Sequence, residues 1–311
     1  MKYILTLLVL SGFTVCAQNH MPGKVHFGLV YPLSTNGIHA PLDTNNLSIS
    51  LIAGISSAEQ GLSFAGFSNI ILHDTKGAQF AGFSNHIGGN VEGAQFAGFL
   101  NTVKGEVRGS QFAGFINVAK DVNGSQFAGF INVAKKVKGE QISGFINIAD
   151  SSDYPIGIIN IIKNREKSIG LNYDVDQTAM LTFRSGGKVL YGIIGAGFNF
   201  KNKDEIYAFE AGIGLHINFS SQFRVNTEAT VKTLECFRDG EYFNTSIRFL
   251  PALKIAKFLE IYAGPSINYL NANTDEGKNL HKHNIKSWQN KWSDNFQALY
   301  ISYTTGIQIL F

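Results

Sequence analysis

Two spacings of apolar residues divide the chain. Between residues 58 and 163 apolar positions return as a block: Gly61-Leu-Ser-Phe-Ala-Gly-Phe-Ser-Asn69 recurs as Gly77-Ala-Gln-Phe-Ala-Gly-Phe-Ser-Asn85 and Gly93-Ala-Gln-Phe-Ala-Gly-Phe-Leu-Asn101. Further copies run from Gly109 to Asn117, Gly124 to Asn132 and Gly139 to Asn147, and a shortened one is Gly157-Ile-Ile-Asn160. The closing asparagines lie 16, 16, 16, 15, 15 and 13 residues apart, which makes about seven units of 13–16 residues. Units this short cannot hold a helix pair, and their glycines disfavour helix.

Such units can stack as the coils of a parallel β-solenoid, about 4.8 Å apart, with equivalent residues above one another. Phe80, Phe96, Phe112 and Phe127 are then expected to form an internal aromatic stack, and Asn85, Asn101, Asn117 and Asn132 an amide ladder that satisfies turn backbone. Gln79, Gln95, Gln111 and Gln126 recur in the same way and read as lattice rather than catalytic residues. Ser63, standing where the later copies have glutamine, is expected to mark a terminal cap. The rival arrangement makes each unit one strand of an antiparallel sheet. Alternate turns would then meet different surroundings, which gives no reason for one consensus at every copy, so the solenoid is preferred.

From residue 168 the spacing changes to strict alternation. In the segment 205–219, Tyr207, Phe209, Ala211, Ile213, Leu215, Ile217 and Phe219 oppose Ala208, Glu210, Gly212, Gly214, His216 and Asn218. In 223–235, Phe223, Val225, Ala229 and Val231 oppose Arg224, Asn226, Glu228, Thr230 and Lys232. Together with 168–173, 177–184, 188–200, 241–253, 258–270 and 298–311 these make eight strands, each with one face suited to lipid and one to a small polar interior. Residues 164–311 are therefore expected to form a transmembrane barrel. Glu210, Arg224, Glu228, Lys232, Arg248 and Glu260 would face inward, pair with one another and plug the lumen. The long loop at about 271–297 holds His281 and His283, which read as solvated residues because no third ligand stands at a metal-site spacing. Val25, Phe27, Leu29 and Tyr31 also alternate, so the N-terminal strands at 18–57 could extend the barrel by one or two.

The ending Thr304-Thr-Gly306-Ile-Gln-Ile309-Leu-Phe311 resembles the C-terminal signal of bacterial outer-membrane barrels, with Thr304, Gly306, Ile309 and Phe311 at its motif positions. That resemblance implies recognition by the barrel-assembly machinery. The Gly-x-Gln-Phe-Ala-Gly-Phe-x-Asn unit, preceded by Tyr31-Pro-Leu-Ser-Thr-Asn-Gly37 and Leu47-Ser-Ile-Ser-Leu51, resembles bacterial surface-repeat proteins over residues 24 to 160. It implies a cell-envelope location and brings no activity or site residues.

Composition narrows the functional classes. The 311 residues are 44% hydrophobic and only 16% charged, against about 25% charged in ordinary soluble domains. Intrinsic disorder is excluded, and 26 basic against 23 acidic residues leave no excess for nucleic-acid phosphates. Residues 1–17 read as a secretory signal peptide: Met1-Lys2, an apolar run to Val15, and Val15-Cys16-Ala17 before Gln18. A lipoprotein signal acylated at Cys16 is disfavoured by the bulk of Val15. After cleavage Cys236 is the sole cysteine, so no intramolecular disulfide is available. The expected protein is thus a non-enzymatic outer-membrane or cell-surface protein without cofactor or metal, in contact with outer-membrane lipid and with an unknown surface ligand. Two alternatives stand beside it. One is a single larger barrel conducting solutes; the other is a lipid-modifying barrel enzyme drawing on Ser246, Ser266, His216, His281 or His283, which no motif links.

Overall fold

The computed structural model describes residues 25–311 apart from 188, 238–239 and 291–294. The expected signal peptide lies outside the described residues. The chain is all-β, a solenoid-like stack of parallel strands and a closed antiparallel barrel of eight strands. It divides into two compact units, Met1–Gln141 and Ile142–Phe311.

In the first unit each repeat is one flattened coil: a longer strand such as Glu106–Ala113, a corner at Gly114-Phe115, and a short strand such as Ile116–Val118. The stacking is parallel and in register. Gln111 stands opposite Gln95 on one side and Gln126 on the other, and Asn117 stands between Asn101 and Asn132. This parallel pairing excludes the one-strand-per-repeat sheet, and with it the single larger barrel.

The inside of the coil is not aromatic, as expected, but amide and aliphatic. Gln79, Gln95, Gln111 and Gln126, with Asn85, Asn101, Asn117 and Asn132, are fully buried, beside a cluster that includes Ile87, Val91, Val107, Val122 and Val137. The Phe rings instead stack outside. Phe80, Phe96, Phe112 and Phe127 follow one another at 4.9 Å between ring centroids, and Phe96 is 36% exposed. A second stack, Phe67, Phe83, Phe99, Phe115 and Phe130, occupies the corner at 4.7–4.9 Å. The physical reason is register. An in-register amide meets an identical amide above and below, so it can be buried with its hydrogen bonds made.

The leading segment opens this stack instead of joining the barrel. Val25–Val30 runs parallel to Thr44–Ser56, with Val25 opposite Leu47 and Phe27 opposite Ile49. Alternation of period two suits a solenoid edge and a barrel strand equally; the partner it finds decides. Ser63 is likewise no cap, since it lies between Ser48 and Gln79 in the stack. The free edge is closed earlier, where the chain turns back antiparallel at Leu33–Ser34 and Thr35 N donates to Phe27 O at 2.8 Å.

One buried acid stands out in these first coils. Glu59 is 1% exposed and accepts from Ser48 Oγ at 2.7 Å and Asn45 Nδ2 at 3.3 Å. Burial, the dominant cause, pushes its carboxyl above the ordinary range despite those donors. A folded-state pKa above the unfolded one gives stability that is full below the unfolded value and is lost as pH rises through the folded value. Glu59→Gln is therefore expected to raise the unfolding midpoint at pH 7 and to change nothing near pH 4. Denaturant titration of both forms at the two pH values checks this; equal midpoints at pH 7 would contradict it.

In the second unit, Ile146–Ala149 and Ile159–Ile162 repeat the parallel short-strand pairing, with Asn147 opposite Asn160. The barrel follows: Lys167–Asp174, Thr178–Gly186, Leu190–Asn199, Tyr207–Asn218, Phe223–Glu235, Tyr242–Ala256, Leu259–Ala272 and Phe296–Leu310. Each pairs antiparallel with the next, and the last closes on the first from Ser168–Leu310 to Asp174–Thr304. One end carries three short turns, at 187–189, 219–222 and 257–258, together with the first residue of the first strand and the last of the eighth. Lys167 and Phe311 exchange two backbone hydrogen bonds there, at 2.9 and 3.0 Å. The opposite end carries one three-residue turn, 175–177, and the longer connections 200–206, 236–241 and 273–295, the last of which holds a helical turn at Asp275–Asn279 and the short strand Lys286–Gln289.

Candidate functional site

The barrel is turned inside out relative to a soluble domain. Along its strands Leu171, Leu181, Ile213, Val231, Ile247, Ile267 and Ile307 are between 43% and 59% exposed. The alternate positions are buried and polar. Glu210, Arg224, Glu228, Lys232, Arg248 and Glu260 all lie inside, none more than 5% exposed.

Their contacts form three levels. At the short-turn end, Arg224 donates to Glu166 Oε1 at 2.7 Å and lies 2.8 Å from Glu260. Gln308 Nε2 and Asn226 Nδ2 also donate to Glu260, at 2.6 and 3.2 Å, and Lys254 reaches Glu166 at 3.2 Å. In the middle, Glu228 accepts from Arg184 Nε at 2.7 Å and from Tyr191 OH at 3.0 Å, and Arg248 lies 3.7 Å away. Arg248 also binds Glu210 through two nitrogens, with Nη1 at 2.9 Å from Oε1. Arg184 lies over the Tyr262 ring at 5.2 Å from its centroid. At the loop end, Lys232 Nζ donates to Asp174 at 2.6 Å. Each of the six charges thus has an opposite charge within reach.

Arg184, Asp174 and Glu166 belong to this network and escaped the sequence reading. For Arg184 the signal was available in strand parity: Met180, Thr182 and Arg184 share the inward face, while Leu181 and Phe183 share the outward one. Asp174 and Glu166 stand at the two ends of the first strand, where alternation has no neighbour on one side.

The C-terminal motif residues occupy distinct places in the eighth strand. Thr304 points inward and is buried, whereas Ile309 and Phe311 point outward at 54% and 63% exposure. Gly306 leaves room for the Tyr262 ring, since a Cβ there would stand 2.6 Å from Tyr262 Cζ.

Among the repeats, the glutamine and asparagine ladders are structural. Gln111 Nε2 donates to Gln95 Oε1 at 2.9 Å and Gln126 Nε2 to Gln111 Oε1 at 2.8 Å, while Gln79 turns to Thr75 Oγ1 at 2.8 Å. Asn85, Asn101 and Asn117 each donate to the next asparagine at 2.9–3.0 Å and to a Phe carbonyl at 2.7–2.9 Å. In the second unit Asn147 donates to Asn160 at 2.9 Å, and Asn160 reaches Ser185: its N–H meets Ser185 Oγ at 3.0 Å and its side chain meets Ser185 O at 3.2 Å.

The serines and histidines considered for hydrolysis do not come together. Ser246 pairs with Thr230 at 2.8 Å, Ser266 with Asn268 at 2.9 Å, and His216 with Asn226 at 2.7 Å. His281 is not solvated, contrary to the sequence expectation. Its Nδ1 lies 3.0 Å from Asp176 and its ring stacks on Tyr300 at 3.9 Å between centroids, because the long connection folds back over the barrel end. His283 is exposed. Among the described residues no group of three His, Cys, Asp or Glu side chains is arranged to hold a metal ion.

Comparison with protein-family models, curated proteins and solved structures finds no match to this chain.

Proposed function

We propose that the protein is a non-enzymatic outer-membrane anchor, in which a plugged eight-stranded barrel holds a repeat solenoid at the cell envelope. The supporting observation is the inverted barrel: exposed Leu, Ile, Val and Phe around a buried lattice of paired charges. In water such an exterior is an aggregation hazard, and in a bilayer it is the stable arrangement, with no open sheet edge once the barrel closes. The C-terminal motif adds recognition by the barrel-assembly machinery to this reading.

The same geometry supports a side for the repeats. Outer-membrane barrels keep short turns on the periplasmic side and long loops outside. The chain passes from the repeats into the barrel at its short-turn end, so the reading puts the repeats in the periplasm and residues 273–295 on the cell surface. The buried, paired charges inside the barrel favour an anchor over a solute channel.

Epitope tags inserted beside His283 and, separately, in the exposed turn at Asn90 test both parts. On intact Gram-negative cells expressing the protein, the tag beside His283 is expected to be labelled, and the tag at Asn90 only after the outer membrane is permeabilised. Labelling of the Asn90 tag on intact cells overturns the orientation. Recovery of folded chain in the soluble fraction overturns the anchor.

A further inference from the structure

The two faces of the coil stack in the first unit differ in chemistry. On the face of the longer strands, charges of both signs alternate and pair: Lys76 with Glu92 at 3.5 Å, and Arg108 with Glu106 at 3.2 Å. That is an ordinary solvated surface.

The face of the short strands is built otherwise. In Leu100–Val103, Ile116–Val118 and Ile131–Val133 the partly exposed outward positions are Leu100, Ile116 and Ile131 in one row and Thr102, Val118 and Val133 in the next. Along one border runs the corner stack Phe99, Phe115 and Phe130. Along the other stand Lys104, Lys120 and Lys135, all exposed, one per coil, with the main chain still stacked beneath them: Lys135 N donates to Lys120 O at 2.7 Å. A shallow groove of about 800 Å³ lies between the Lys row and the row of Thr102, Val118 and Val133. Between the Phe border and the Lys border these three coils present no carboxylate, and none of the three lysines has an ion-pair partner among the described residues.

Three ammoniums repeated at the coil spacing repel one another, so the row calls for an external anion. The surface beside it calls for an apolar neighbour: its hydrogen-bonding side chains are His86 and Thr102, and these bond to each other at 2.8 Å, which leaves little by which a sugar or nucleotide could be held. A second copy of the chain meeting it with the same face would bring another Lys row and no countercharge. An anionic phospholipid surface meets all three conditions: phosphates for the lysines, glycerol and upper acyl chain for the aliphatic rows, and the interfacial zone that aromatic side chains prefer.

We propose that this face docks on an anionic phospholipid bilayer, with the Phe and aliphatic rows entering the interface and the Lys row on the headgroups. The proposal takes from the membrane-anchor reading only the presence of lipid, and its test separates the two.

The full chain, with Trp288→Phe and Trp292→Phe to clear the background, carries Val118→Trp as reporter or Ser110→Trp, on the opposite face, as control. Each is reconstituted into vesicles of phosphatidylcholine, with or without phosphatidylglycerol, brominated high on the acyl chains. Emission of the Val118→Trp form is expected to fall about twofold in anionic vesicles, to recover in high salt, and to recover when Lys104, Lys120 and Lys135 are replaced by Gln. The Ser110→Trp control should stay unquenched. A gel-mobility shift on heating reports barrel insertion independently, so its loss counts against the anchor. Retained insertion with an unquenched Val118→Trp form overturns the docking proposal. So does quenching that follows protein density and ignores lipid charge, the signature of pairing between copies.

Discussion

Glu228→Ala is expected to destabilise the barrel by about 3–5 kcal/mol. Glu228 sits at 0% exposure between Arg184 at 2.7 Å and Arg248 at 3.7 Å, and Tyr191 donates to it as well. Removing the carboxylate leaves Arg184 without an acidic partner and Arg248 with Glu210 alone, both guanidiniums being buried. Replacing both members of the nearest pair, Arg184→Met with Glu228→Leu, removes the desolvation cost together with the attraction and is expected to recover most of the loss. The measurement is urea unfolding in detergent, followed by the heat-dependent gel shift and by Tyr fluorescence. A single-variant loss below about 1 kcal/mol would show that the network is hydrated rather than buried.

In the repeats a large single effect is expected at Gly109. Its φ is +137°, in a region essentially reserved for glycine, and a Cβ there would lie 1.9 Å from the carbonyl oxygen of Gly93 in the coil next to it. Neither coil can yield without breaking the ladders on both sides. Gly109→Ala should therefore cost more than about 4 kcal/mol, beyond the usual range of point substitutions. Gly37 supplies the control. It also has positive φ, +55°, but nothing stands within 4 Å of its missing Cβ, so Gly37→Ala should cost about 1 kcal/mol from the backbone alone. Limited proteolysis of the repeats and chemical unfolding of the full chain compare the two. Equal effects would mean that conformation, not the close approach of neighbouring coils, makes glycine necessary at Gly109.

Much of this architecture was legible in the sequence because both units obey simple periods. A block that returns every 15 or 16 residues with one consensus has only the parallel stack in which every copy meets the same neighbours. Strict alternation from residue 168 placed Glu210, Arg224 and Lys232 on the inner face without help from any contact. What the pattern could not show was which side of the repeat strand is inside. Phe112 and Gln111 alternate, and hydropathy favours burying Phe112; the stack buries Gln111, because an amide with an identical amide above and below loses nothing on leaving water. Nor could alternation assign Val25–Val30 to a partner, since period two fixes a buried face and not the direction of the neighbouring strand. The contact of His281 with Asp176 joins residues 105 apart in the chain, and no local rhythm encodes it.

In the first unit the turn through Leu33–Ser34 and Thr35 pairs with Phe27, Gly28 and Val30 of the first strand, and in the second unit Asn160 donates to Ser185. Within the first unit the coils carrying Gln95, Gln111 and Gln126 are in register with one another, so inserting or deleting one unit of 15 or 16 residues there changes the stack by a single rung, about 4.8 Å. The repeats of the first unit therefore behave as a molecular ruler, graduated by the distance between one strand and the next.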